Sequence, residues 1–284
     1  MKLYIDFKFL GEKMTLRKTL LAAGMIAFTA LPVMASDIIL DNVSGGPTNN
    51  GTPGGFTYIG KGSSDDHIGG YKYDIYSMEV SRSDAGIMTV QINTKFVDYN
   101  DQDYVFGDLF MSTTGWNPTG NAADGYQDDN AFTTGTEWDY AYDLNGARDM
   151  TGNNTDNSSA RLVELNDYDL NNASDADNFK YGTVRGNEDH FYRLRSSSAV
   201  ASTIGGGSVE TSTTNNYLKF VFDVSGTDLA TAEQIAFHWT MSCANDIIEG
   251  TVDFASKVPE PAALGLLLIG LTGVGFARRR KQAE

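Results

Sequence analysis

Apolar and polar positions alternate with a period of two through the middle of the chain, the spacing of strands whose two faces meet different surroundings. Met88, Val90, Ile92, Thr94 and Phe96 interleave with Thr89, Gln91, Asn93 and Lys95. Leu218, Phe220, Phe222 and Val224 alternate with Lys219 and Asp223, and Ile235, Phe237, Trp239 and Met241 with Gln234, His238 and Thr240. Trp138, Tyr140, Tyr142 and Leu144 stand against Glu137, Asp139 and Asp143. Weaker strands are predicted at 71–80, 104–112, 160–165, 179–185, 190–195 and 247–254. Between them, Gly45 to Gly55, Asn145 to Ser159 and Ser196 to Asn216 are rich in Gly, Asn, Ser and Thr, and predict loops because they hold little apolar surface to bury. About ten short strands, each with one polar face, predict an all-β fold: an antiparallel β-sandwich, jelly-roll-like, with long polar loops. Its sheets would enclose Trp138, Trp239, Phe220 and Phe222.

The two ends break this pattern. Met14 opens a stretch in which Arg17 and Lys18 precede an apolar run from Leu20 to Leu31, and Val33-Met34-Ala35 supplies the modest side chains a signal peptidase reads. Residues 1–35 therefore read as a signal peptide with an upstream extension, Met14 being the expected start and Ala35 the last residue removed. At the other end, Val258 to Glu284 forms a tail: Pro259-Glu260-Pro261, an apolar run from Ala262 to Ala277, then Arg278-Arg279-Arg280-Lys281. Sixteen residues at about 1.5 Å each make roughly 24 Å of helix, a marginal span for a hydrocarbon core of about 30 Å. The cations after the run would stay cytoplasmic, which places the body, 36–257, across the membrane.

Composition sharpens this division. Residues 36–257 carry 12 Lys and Arg against 33 Asp and Glu, a formal charge of −21, where the whole chain has −16. An acidic body of this kind repels nucleic acid and anionic membranes and attracts divalent cations. The chain's one cysteine, Cys243, has no intrachain disulfide partner, so the core must supply the stability; the thiol reads as a small packed side chain.

Calcium is the one cofactor the residues point to, since Asp98, Asn100, Asp101 and Asp103 place four oxygen-bearing side chains within six positions. The run lacks the glycine and the distant glutamate of an EF-hand, and acidic loops at Asp124 to Asp129, Asp167 to Asp177 and Glu188-Asp189 read equally as solvated turns. Trp116, in a Gly/Asn/Pro turn, is a candidate platform for a sugar ring, with Tyr104 and Tyr126 as companions. No catalytic residue is assigned. His67, His190 and His238 lie in different segments without a nucleophile elbow, paired zinc ligands are absent, and His238 sits on the polar face of its strand.

Pro259-Glu260-Pro261, the single apolar span and the Arg278 to Arg280 cluster resemble the PEP-CTERM sorting signal of proteins handled by an exosortase in Gram-negative bacteria. The segments 105–112, 115–118, 135–144 and 238–250 are similar to stretches shared among such surface proteins. The resemblance implies export through signal peptidase and exosortase, with transient anchoring in the inner membrane by the C-terminal helix. It further implies release or attachment at the cell surface, often beside exopolysaccharide. The expected role is structural or adhesive, in a biofilm matrix. A calcium-dependent carbohydrate-binding module is the alternative and a secreted glycoside hydrolase the third reading.

Overall fold

The structure, a computed structural model, describes residues 35–40, 55–57, 71–99, 104–120, 129, 135–167, 176–184, 188–195 and 197–254, all within the compact unit Met34–Glu284. Among the described residues fourteen strands run in chain order: β1 (Ala35–Leu40), β2 (Gly55–Thr57), β3 (Ile75–Arg82), β4 (Ile87–Thr94), β5 (Leu109–Ser112), β6 (Tyr140–Asp143), β7 (Asn154–Asp156), β8 (Arg161–Leu165), β9 (Phe179–Val184), β10 (Glu188–Leu194), β11 (Val200–Ser212), β12 (Tyr217–Asp223), β13 (Gln234–Thr240) and β14 (Ile247–Asp253). Twelve of them form one antiparallel sheet in the order β1-β3-β4-β12-β11-β8-β6-β5-β13-β14-β2, with β7 added beside β11. The order nearly closes, because β1 returns to lie near β14 and β2. The remaining two strands, β9 and β10, pair as a separate hairpin.

The all-β antiparallel class expected from the sequence is what the chain adopts. The layers are continuous through β11, whereas a two-sheet sandwich would keep them apart. Its last residues, Gly207 to Ser212, pair with β12, while Val200 to Gly206 pair with β8 across two bulges. Bulges bend a strand and raise its twist, and three successive glycines from Gly205 to Gly207 remove the side chains that would resist the bend. The space at Gly207 is tight: a Cβ there would lie 2.3 Å from the Val221 carbonyl oxygen and 2.5 Å from the Tyr142 hydroxyl. Gly205 has open space around it.

β11 overturns the loop predicted from Ser196 to Asn216. That segment buries little of itself, as its composition implies, yet its backbone is laddered to neighbours on both edges, and Thr and Val suit the extended conformation. Asn145 to Ser159 does remain largely turn, with a short 3-10 turn at Asn145–Ala147 and the three residues of β7 as its regular elements.

β4 and β12 show the clean alternation of buried and half-exposed residues that made them legible. Their inward side chains, among them Val90, Ile92, Phe220 and Phe222, meet Tyr142, Leu162, Phe237, Trp239 and Val252 from the opposite wall in one core. Tyr142 stacks on Phe222 with ring centroids 4.6 Å apart and meets Phe220 edge-on at 5.8 Å. β5 and β6 are instead buried at every position, as is β13 after Gln234. The hairpin is the cause. It covers the outer face of this wall and closes a second apolar cluster of Phe110, Trp138, Ala141, Val163, Phe179, Phe191 and Ala236. Trp138 therefore belongs beneath the hairpin, in contrast to its predicted place between the sheets; Trp239, Phe220 and Phe222 lie in the inner core as expected.

Among the described residues no helix is long and apolar enough to cross a membrane. The predicted signal peptide apart from Ala35, the predicted loop from Gly45 to Gly55 apart from Gly55, and the tail with its predicted transmembrane helix lie outside the described residues. Substitution Gly207→Ala is expected to cost about 1–3 kcal/mol, since backbone must move to admit the methyl group. Gly205→Ala is expected to melt close to wild type; paired thermal unfolding curves check both.

Candidate functional site

The hairpin lies over several of the buried ionisable groups among the described residues. β9 and β10 seat Phe179 and Phe191 on Phe110, whose ring lies 4.6 Å from that of Phe191. Directly beneath is His238, 1% exposed, with Nδ1 2.7 Å from Glu249 Oε2 and Nε2 3.0 Å from the Phe191 carbonyl. That carbonyl only accepts, so the Nε2 contact places a proton on that nitrogen, and the Nδ1 contact pairs the ring with the Glu249 carboxyl group. The other carboxylate oxygen accepts from the Trp116 indole N–H at 2.7 Å. His238 does face the outer side of its strand, the side predicted to be polar, but the hairpin makes it interior. With both ring nitrogens engaged and no hydroxyl or thiol among their partners, the ring is tied to the fold.

A second buried centre lies where the hairpin ends. Asp108 is completely buried, and its Oδ1 accepts the Leu144 N–H at 2.9 Å while Oδ2 accepts the Leu194 N–H at 2.8 Å. The Arg148 guanidinium grips both oxygens, one through a short contact and the other at 3.1 Å. It also donates to Asp143 at 2.7 Å, and Asp143 in turn accepts from Arg161 Nε at 3.2 Å and Nη2 at 3.1 Å. Burial lowers the pKa of Arg148, but the Asp108 and Asp143 carboxylates outweigh it and hold the guanidinium above its ordinary value. Beside this network is a cavity of about 270 Å³ whose wall includes Arg148, Arg161, Arg193, Arg195, Asp143 and Asn145. Sequence reasoning missed these residues, which are spread over 143–195 without a motif spacing.

The predicted sites fare differently. Trp116 is only partly exposed and packs against the outer apolar cluster, with its indole N–H spent on Glu249. Tyr104 is exposed and lies edge-on to Tyr73 at 5.9 Å. The two aromatics thus have different neighbours, and Tyr126 lies outside the described residues. Of the calcium candidates, Asp98 forms an ion pair with Lys95, while Asn100, Asp101 and Asp103 lie outside the described residues. Asp129 is buried and accepts the Thr119 N–H at 2.8 Å, a structural use of a carboxylate in a loop read as acidic. Among the described residues no three His, Cys, Asp or Glu side chains converge as a metal site. Cys243 packs partly buried against the inner core, and burial pushes its thiol up to about 11.

The PEP-CTERM protein-sorting motif model matches residues 257–281, which contain Pro259, Glu260, Pro261 and Arg278 to Arg280. The chain thus carries the signal of an exported surface protein processed by exosortase. No curated protein and no solved structure matches the chain.

Two outcomes follow from the buried groups. Burial, aided by His238, drives His190 down to about 3, so the folded state keeps that ring neutral where the unfolded chain, near 6.5, takes up a proton. Stability from this group is full above pH 6.5 and is lost as pH falls toward 3, by about 2 kcal/mol between pH 7 and pH 5. Denaturant titrations at the two pH values should show that loss in wild type and a smaller one in His190→Gln. At pH 8, Cys243 should react with a thiol reagent about a hundredfold more slowly in the folded protein than in denaturant, as its thiolate fraction dictates.

Proposed function

We propose that this chain is an exported, exosortase-processed protein of a Gram-negative bacterium whose body has a structural or adhesive role in the exopolysaccharide matrix at the cell surface. The sorting motif at 257–281 carries the reading. Its position fits a removable tail: among the described residues the last strand, β14, ends at Asp253 and the last core side chain is Phe254, both ahead of Val258. The tail serves as a temporary inner-membrane anchor, with its cations on the cytoplasmic side. Signal peptidase acts before it, after Ala35, and β1 retains the five residues from Ser36 to Leu40.

A non-enzymatic body is supported by how the buried ionisable groups are used. The ring nitrogens of His238 and both oxygens of Asp108 are bound within the fold, which suits a scaffold. An acidic body also stays soluble and apart from anionic lipid once its tail is gone.

Intact-mass spectrometry of the native protein checks the proposal. Producer cells should yield a form that begins at Ser36 and lacks the tail, and that sediments with their exopolysaccharide. Cells without exosortase should retain the tail, with the protein in the membrane fraction. An intact tail in both strains would sink the processing step, and a processed protein free of polysaccharide would sink the matrix role.

A further inference from the structure

The cavity beside the Asp108 network gathers an unusual share of the body's positive charge. Residues 36–257 hold six arginines, and four of them, Arg148, Arg161, Arg193 and Arg195, line this one space. In a body of formal charge −21, chance placement on a solvated face does not concentrate guanidinium groups in this way.

The charges there are unevenly matched. Arg148 and Arg161 are balanced by Asp108 and Asp143, which fixes their planes and makes a rigid floor. Arg195 meets Asp177 at 3.4 Å, but both side chains are largely exposed, so the pair is weak and the guanidinium remains available. Arg193 is different again. Its Nε is buried and has no hydrogen-bond partner among the described residues, and its guanidinium carbon lies 5.7 Å from the centre of the Tyr192 ring. A guanidinium cannot release its proton to escape this situation, so a buried donor stands without an acceptor. Such a group is costly to keep unless something enters to accept from it.

We infer that this cavity binds a small oxyanion of the carboxylate or sulfate type, with Arg193 as the principal donor, Arg195 at the rim, and the Arg148–Asp143–Arg161 floor setting its depth. Guanidinium forks suit paired oxygens, and about 270 Å³ admits an oxyanion together with a few atoms of whatever bears it. Asn145 and Ser197, also on the wall, provide polar groups for the remaining hydrogen bonds. The inference is independent of the export reading and goes beyond it.

Thermal shift and calorimetry on the purified full chain in low-salt buffer test it, with inorganic sulfate as the free ion, glucuronate as an acid borne on a sugar, and glucose as the uncharged control. At millimolar concentrations one or both anions should raise Tm, and glucose should not. Response to sulfate marks a site for the free ion, and response to glucuronate alone marks one that reads the carrier as well. Arg193→Gln should weaken binding at least roughly tenfold while melting close to the wild-type temperature without anion, because the half-buried side chain spends no Nε hydrogen bond on the fold. Arg193→Lys should recover part of the affinity. Arg195→Gln, on the exposed rim, provides a variant whose folding is not in question and should bind several-fold more weakly. No response to either anion, or equal binding by wild type and Arg193→Gln, overturns the inference. Neither result bears on tail cleavage.

Discussion

Asp108 is the fixed point on which the outer half of the fold depends. One carboxylate, cut off from water, takes hydrogen bonds from the Leu144 and Leu194 backbone and from Arg148. Those donors come from the end of β6, the turn after it and the end of β10, segments that no sheet ladder joins to one another. Breaking a buried ion pair from one side typically costs about 3–5 kcal/mol, because the partner charge is stranded. The neighbouring residue is equally constrained: a Cβ at Gly107 would lie 2.0 Å from the Thr240 carbonyl oxygen and 2.8 Å from that of Tyr192. The Gly107 carbonyl accepts the Trp239 indole N–H at 3.0 Å, so the two residues lock the inner core to the outer hairpin.

This arrangement explains which parts of the fold could be read from residues alone. β4 and β12 were legible because one face of each meets solvent and the alternation survives. In β5, β6 and β13 the hairpin covers the second face, and His238 of β13, with Asp108 just before β5 and Glu249 of β14, becomes interior without ceasing to look like a surface position in the sequence. Trp138 follows the same rule: its alternation points between the sheets, while the hairpin gives it an apolar bed on the outer side. β11 was hidden by composition: Ser, Thr and Gly signal a loop locally, and only the pairing with β8 and β12 makes them a strand.

The candidate sites divide along the same line. The sorting tail is local, since its acid flanked by prolines, apolar run and basic end act in chain order, and so it is legible from the residues alone. Trp116 looked like a platform because its turn residues resemble a surface loop, whereas Glu249, distant in sequence, draws its indole inward. The arginine cavity left no sequence trace. Arg148 and Arg161 follow β6 and begin β8, Arg193 lies in β10 and Arg195 just beyond it, and only the hairpin's docking gathers them.

That docking also decides how an oxyanion would be recognised. A net charge of −16 gives the chain a repulsive field for anions at long range, so steering cannot bring one in, and ionic strength would ease its approach by screening that field. Recognition must then come from short-range geometry: a guanidinium with a buried N–H, held over a floor whose own charges are already matched. Affinity in such a site depends on the floor staying in place, hence on Asp108. A change that loosens the hairpin would therefore reduce anion binding even with every arginine retained, because the four side chains share a cavity only while β10 is fastened to Asp108 through Leu194.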